Sequence, residues 1–255
     1  MSDPVSAHYT NLLARHYSWM FGLSFDEKVT EQRTLLEPLL ENAYRGLAVD
    51  LGCGPGFQSI ALAQLGFSPI LALDTSAELL AELSAHSATS DIQTHRGDIL
   101  SLSDYVQPDQ AAAIVCMGDT LTHLSSPDAV RRLFSAVAAA LAPGGLFILT
   151  WRDLTPELTG ADRFIPVRAD DQRIMTCFLE YTSPTTVQVH DLVYTRNSTG
   201  WTLEKSSYPK LRLSPAQVAA ELTAAGLEPD PPAIAGRLSL LVAARKASLP
   251  CGMSD

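Results

Sequence analysis

The sequence predicts an α/β fold, a doubly wound and mostly parallel sheet preceded by helices and followed by an antiparallel β extension. Three observations carry this expectation. Strand and helix signals alternate from Leu47 to Asp153, as parallel strands joined by crossover helices require. A loop with glycines at alternate positions, Gly52, Gly54 and Gly56, joins the first strand to the first helix. From Phe164 to Lys210, short β-like runs succeed one another with no helix between them, the pattern of antiparallel strands.

The segment Val5 to Asn42 reads as two helices, whose aromatic residues Tyr9, Tyr17, Trp19, Phe21 and Phe25 form either a lid or a cap on the core. Ala48–Leu51 is the first strand and Phe57–Leu65 the first helix; Pro69 to Leu73, ending at Asp74, is the second strand and Ser76–Ser84 the second helix. Ile92–His95 is a short third strand leading to Arg96-Gly97-Asp98. Ala111–Met117 is almost continuously apolar, which fits a strand buried on both faces. Pro127–Leu141 is helical with Ser126 as N-cap, Pro143-Gly144-Gly145 breaks it, and Leu146–Trp151 is the fifth strand. In the extension, strands are expected at Arg173–Tyr181, Thr186–Thr195 and Trp201–Ser207, as a patch grafted onto the sheet. Ser214–Ala225 is a helix, capped by Ser214, opened by Pro215 and closed by Gly226, and Leu238–Ala244 is the last strand. The expected organisation is one domain over 1–246: a helical lid (5–42), a ligand-binding core (43–153), the antiparallel extension (162–210) and a closing helix and strand (211–246). A disordered tail (247–255) is expected to follow.

With a net charge of −10 and its lysines and arginines scattered singly, the chain lacks the basic patch that a nucleic-acid groove needs, so no nucleic-acid partner is expected. Cys53, Cys116, Cys177 and Cys251 are far apart and form no C-x-x-C pair; they read as reduced thiols of a reducing cytosol. The first residues show no basic segment followed by an apolar stretch, and no run approaches the ~20 apolar residues of a membrane span. A cytoplasmic protein without membrane contact is therefore expected, with homo-oligomer formation left open. His190 and Asp191 are neighbours on a predicted strand and so point to opposite faces; with no H-x-x-x-H motif or carboxylate cluster, no metal is expected.

The run Val49-Asp50-Leu51-Gly52-Cys53-Gly54-Pro55-Gly56 concentrates the ligand-binding signal. Its glycines permit a sharp turn and keep Cβ atoms off whatever lies on the main chain. Asp50 stands at the strand's end, where the crevice of an open α/β sheet lies. One acid beside an unobstructed backbone suits a cationic, nucleoside-bearing ligand better than a pyrophosphate. A nicotinamide dinucleotide site would want G-x-G-x-x-G, and Phe57 occupies the place of its third glycine. Asp74, at the end of the second strand, can accept both hydroxyls of a ribose, or can serve with Thr75 and Ser76 as a helix cap. Asp98 can accept from an adenine amino group while Ile99 packs on the ring.

Taken together, Val49 to Gly56, Asp74, Gly97-Asp98, Val115 to Asp119 and Leu141 to Gly145 resemble the ordered motifs of class I S-adenosylmethionine (SAM)-dependent methyltransferases. Finer features are similar to the glycine and sarcosine N-methyltransferase branch. Cys116-Met117-Gly118-Asp119-Thr120-Leu121-Thr122-His123-Leu124 resembles that branch's loop after the fourth strand, with Asp119 where the branch carries Asn. Trp151-Arg152-Asp153 resembles its His-Arg-Asn, whose Arg anchors the substrate carboxylate, and Leu211-Arg212-Leu213 resembles its Phe-Arg-Leu. Asp162 to His190 has no counterpart. The resemblance implies a Rossmann-like methyltransferase fold with SAM as cofactor and S-adenosyl-L-homocysteine (SAH) as product. Tyr17, Asp50, Gly52, Cys53, Gly54, Gly56, Asp74, Thr75, Asp98, Ile99, Met117 and Gly118 would hold the donor. Arg152, Asp119 and His123 would hold the acceptor, with Asp119 and His123 as catalytic candidates and Asp119 or water receiving the amine proton. Each has a second reading: Arg152 pairs with Asp153 or another loop acid, His123 bonds a loop carbonyl, and Asp119 caps a turn. The expected activity is methyl transfer to a small molecule, at an amine nitrogen, the acceptor bearing a carboxylate. The alternatives are a small-molecule O-methyltransferase, a non-catalytic SAM- or SAH-binding module and, third, a nicotinamide oxidoreductase.

Overall fold

The computed structural model describes residues 4–87 and 91–246; the expected tail from 247, with Cys251, lies outside the described residues. The chain opens with one helical run of changing pitch: α1 (Pro4–His8), a π-helical turn (Tyr9–Leu13), a 3-10 turn (Ala14–His16) and α2 (Tyr17–Met20). After α3 (Phe25–Leu39) come β1 (Ala48–Leu51), α4 (Phe57–Gln64), β2 (Ile70–Asp74), α5 (Ala77–His86), β3 (Ile92–Arg96), β4 (Ala111–Cys116), α6 (Pro127–Ala140) and β5 (Leu141–Trp151). Four strands follow, β6 (Phe164–Ala169), β7 (Arg173–Tyr181), β8 (Thr186–Asn197) and β9 (Gly200–Leu211), then α7 (Pro215–Ala224), β10 (Leu227–Pro229), β11 (Ala233–Ala235) and β12 (Leu238–Arg245).

The main sheet runs β10-β12-β5-β4-β1-β2-β3, with β11 pairing β12. Strands β1 to β5 are parallel, and β12 is antiparallel to β5. Their side chains explain the placement: β1 and β4 are buried at every position and hold the centre, while β3 is only partly buried and ends the path. From β1 the chain builds outward through β2 and β3, then returns to place β4 on β1's other side. Strand order therefore reverses at β1, and a crevice opens there beyond the carboxyl ends of the strands.

The helix signals hold at the level of caps. Ser76, Ser126 and Ser214 each accept a hydrogen bond from a backbone N–H in the first turn, and Ser24 forms a capping box with Glu27. Most boundaries shift by a few residues at an element's end, and that between α6 and β5 differs in kind. Helix α6 ends at Ala140 and β5 starts at once, because Leu141 already pairs with Ala111. Pro143-Gly144-Gly145 lies within β5 as an interruption where the register against β4 shifts; Pro143 lacks an N–H, and Gly144 takes a φ of 78°.

The antiparallel extension is corrected more substantially. It is a separate four-stranded sheet, β6-β7-β8-β9, which includes the unpredicted β6 and does not pair with the main sheet. Its inner face carries Met175, Cys177, Leu179, Val187, Val189, Val193 and Tyr208, packed in two clusters with Leu12, Leu13 and Leu154. Its outer face exposes Ile174, Tyr194, Trp201 and Leu203. The N-terminal run bridges the two sheets. Trp19 Nε1 donates to Asp170 at 2.6 Å on one side, and Ser18 Oγ donates to Glu82 of α5 at 2.6 Å on the other.

Candidate functional site

Two adjoining cavities occupy the crevice at the β1 switch point. The larger, about 400 Å³, is lined by Gly52, Gly54, Asp74, Thr75, Leu79, Asp98 and Ile99 from the main sheet and by Val5, Ser6, Tyr9 and Tyr17 from the N-terminal run. The smaller, about 180 Å³, lies between that run and the inner face of the small sheet, with Asp119, Arg152, Asp191 and Lys210 in its wall. Tyr9, Tyr17, Thr120 and His123 line both. A third cavity, of about 340 Å³, opens beside α3, where Cys53, Met117 and Gly118 meet Lys28 and Gln32.

The glycine loop is shaped by its neighbours as much as by its φ values. Gly52 has φ 71°, and a Cβ there would collide with Thr120; Gly56 has φ 93°, and a Cβ there would collide with Leu83 of α5. Gly118, at φ 76°, has no atom near the place a Cβ would take, so its main chain is bare toward the second and third cavities. The loop is clasped by Asp74, whose Oδ2 accepts from Gly54 N–H at 2.8 Å while Oδ1 accepts from Ser76 N–H at 2.8 Å. Asp74 thus ties down the turn and also lines the large cavity, where burial raises its pKa. Asp98 likewise caps a 3-10 turn through Leu100 N–H and lines the cavity beside Ile99.

Three expectations about individual residues change. Asp50 does not line any of these cavities. It is 1% exposed, and its carboxylate accepts from Ser59 Oγ at 2.6 Å behind the loop. Burial pushes its pKa up to about 7 against the pull of that hydrogen bond. Gly56 also stands back from the cavities, packing α4 against Leu83, and Phe57 packs at its edges on Phe21 and Phe25. The bulky residue that spoils a dinucleotide fingerprint is thus part of the core that seats the N-terminal helices.

Asp119 is the third. Its Oδ2 lies 2.7 Å from Lys210 Nζ, and its Oδ1 accepts from Arg152 N–H at 2.8 Å. Burial alone would raise its pKa, but Lys210 and Arg152 outweigh burial and hold the carboxyl well below its usual range. A carboxylate held this firmly in its charged form is a poor proton acceptor, so Asp119 works as an ion-paired joint between the two sheets. His123 is kept neutral, pushed down to about 3 by burial and then by Lys210, and its Nε2 is buried without a hydrogen-bond partner. Burial raises Tyr9 and Tyr17, which leaves both as hydrogen-bond donors. The alternative pairing of Arg152 with Asp153 is absent among the described residues, since Asp153 accepts from Thr155 N–H and Oγ1. Arg212 instead staples loops together, donating to Leu154, Thr155 and Ser183 carbonyls while pairing with Glu157.

Sequence reasoning missed Lys210, Asp191, His8 and Tyr9 as site residues. Lys210 closed the predicted extension without drawing notice, and Asp191 was weighed only as a metal ligand. His190 and Asp191 do point to opposite faces: His190 meets Glu180 at 2.9 Å outside, and Asp191 enters the small cavity. Among the described residues no group of three or more His, Cys, Asp or Glu is placed to hold a metal ion. No helix among them is long and apolar enough to cross a membrane.

Comparison with known proteins agrees with this geometry. Residues 48–145 match the family model described as a methyltransferase domain. The ubiquinone biosynthesis O-methyltransferase of Xanthomonas campestris pv. campestris (strain B100) is 36% identical over 110 residues, covering 42% of this chain and 44% of that protein. The glycine/sarcosine N-methyltransferase of Aphanothece halophytica is 28% identical over 157 residues, covering 58% and 57%. The chain thus spans about half the length of these curated relatives. A SAM-dependent methyltransferase of known structure from Clostridium acetobutylicum superposes with a TM-score of 0.70 at 17% identity, over 95% of this chain and 98% of that one. Residues 48–145 are thus similar to a methyltransferase domain, and the chain as a whole has the fold of solved SAM-dependent methyltransferases.

Proposed function

We propose that this chain transfers the methyl group of SAM to an amine nitrogen of a small, carboxylate-bearing acceptor. The observation that carries the reading is the pair of adjoining cavities, one walled by the glycine loop, Asp74, Asp98 and Ile99, the other by Arg152 and His123, with Tyr9 and Tyr17 common to both. In this reading Asp74 accepts from the ribose, Asp98 and Ile99 take the adenine, and the methionyl portion passes Gly52 and Thr120 toward the bare backbone of Gly118. When bound, SAM supplies an already activated methyl electrophile, so the task left to the protein is alignment. Arg152, which has no ion-pair partner among the described residues, offers its guanidinium to an acceptor carboxylate, for which its planar fork is suited. The neutral His123, with Nε2 free, accepts a hydrogen bond from the acceptor and keeps a lone pair aimed along the transfer axis. The enclosed domain organisation, with residues 5–42 and 162–210 closing over a core of 43–153, belongs to the same proposal.

Calorimetric titration with SAM, SAH and NADH tests it. Binding of the two sulfur nucleosides and not of NADH is expected. Binding of NADH alone by the folded protein would overturn the donor assignment. The names of the two curated relatives span oxygen and nitrogen acceptors, so labelled transfer from SAM to matched amino and hydroxy acids decides the atom.

A further inference from the structure

Strand β8 lays Val187, Val189, Asp191 and Val193 along one face, all buried. The sequence alternates as an apolar strand should, then breaks its own pattern once, at the centre, with an acid. The flanking strands supply only a weak neutral partner, the Cys177 thiol, which hydrogen-bonds the Asp191 carboxyl. Across the sheet Asp191 is opposite Cys177 on β7 and Ser206 on β9. A carboxylate 3% exposed on a hydrophobic sheet face is costly unless something charged or strongly polar meets it.

The partner present is weak. His8, at the end of α1, brings Nε2 to 3.1 Å from Asp191 Oδ2, with a side chain that is fully buried. Neither ring nitrogen of His8 makes a directed hydrogen bond, so the imidazole approaches the carboxylate without bonding it well. Its orientation is set by stacking on Tyr208, with ring centroids 4.1 Å apart. The other acid of the cavity, Asp119, is already satisfied by Lys210 at 2.7 Å. That leaves one cation, Arg152, and one anion, Asp191, lining the same cavity of about 180 Å³ without an ion pair between them.

We infer that Asp191, backed by His8, is the subsite that receives the acceptor amine as an ammonium, which passes one proton to water before its lone pair attacks, so that the small cavity selects molecules carrying an ammonium and a carboxylate together. The inference rests on the methyltransferase reading for the word acceptor, but the charge recognition does not depend on it. The walls fit the assignment: Leu154, Val167, Met175, Leu179 and Val189 line the cavity that holds Arg152 and Asp191, and their apolar surface strengthens a charge-assisted hydrogen bond at Asp191.

The test titrates the protein, with and without SAH, with n-propylammonium and its neutral counterpart n-propanol. The ammonium is expected to bind about tenfold or more tightly than the alcohol, as a hydrogen bond to a charged group implies. Asp191→Asn is expected to erase that preference, and Glu180→Gln, on the outer face, to preserve it. Equal binding of the two probes, no binding of either, or a preference that survives Asp191→Asn would overturn the inference. If Asp191→Asn fails to fold, the wild-type protein still decides. In it n-propylammonium is expected to shift the methyl resonances of Met175 and Val189 and to leave those of Ile174 and Leu192 in place; the absence of such shifts would overturn it. Failure to bind SAH sinks the donor reading alone, because the probes are also titrated without it.

Discussion

Ser59 and the surrounding core hold the Asp50 carboxyl in an environment where its pKa is pushed up to about 7 by burial. A folded-state pKa above the unfolded value of about 3.9 means that the folded protein binds the extra proton. The associated stability is complete below the unfolded value and is lost as pH rises through about 7. Asp50→Asn, which keeps an acceptor for Ser59, is therefore expected to gain stability relative to the wild type as pH is raised from about 4 to 7. Urea unfolding across that range checks it; parallel profiles for the two proteins would refute the burial argument. At this scale, what the sequence made legible follows from geometry. Asp74, Thr75, Asp98 and Ile99 each follow a strand that ends at the crevice, so their placement needs only strand order. Lys210 meets Asp119 across 91 residues of sequence, and His8 meets Asp191 across still more, through a sheet whose position was not predicted. No local spacing encodes such a meeting.

Elements were easier to read than their joins. Ser126 with Pro127 and Ser214 with Pro215 marked helix starts that the structure reproduces, because a cap is a local hydrogen bond. The short strands β10 and β11, three residues each, escaped notice because so few residues carry no readable alternation. The small sheet was legible as strands and misplaced as an attachment, since strand pattern says nothing of which sheet a strand joins. Its fixing to the rest of the chain runs through Arg212 at the end of β9, 8% exposed, which forks to three carbonyls and lies over the Tyr181 ring at 5.0 Å. Arg212→Ala would strand those acceptors, and a loss of about 3 kcal/mol is expected in denaturant unfolding. Arg212→Lys should recover little of it, since an ammonium cannot reproduce the planar fork. A wild-type-like midpoint for the alanine variant would show that the loops hold without the staple.

For the whole molecule, the match to a methyltransferase domain ends at Gly145, whereas the walls of the small cavity come chiefly from the N-terminal run and from β7, β8 and β9. Residues of the large cavity were thus readable as an ordered set of motifs, whereas in the small cavity only Asp119, His123 and Arg152 were legible as acceptor residues. The N-terminal run is tied to the small sheet by the Trp19–Asp170 hydrogen bond and to α5 by Ser18–Glu82, so a ligand beneath it should steady both attachments. Hydrogen exchange is expected to slow across residues 9–21 when SAH binds. Unchanged exchange there would separate the run from the donor cavity.

Tyr9 and Tyr17 wall both cavities, so one stretch of chain roofs two guests. In the proposed reaction a spent donor would leave when that roof lifts, and the same roof would be the one retaining the acceptor. An acceptor with room for more than one methyl is therefore expected to be let go between transfers and to compete afresh for the cavity each time. Such a protein would work distributively, stopping at a mixture set by acceptor supply rather than driving each molecule to its fully methylated form.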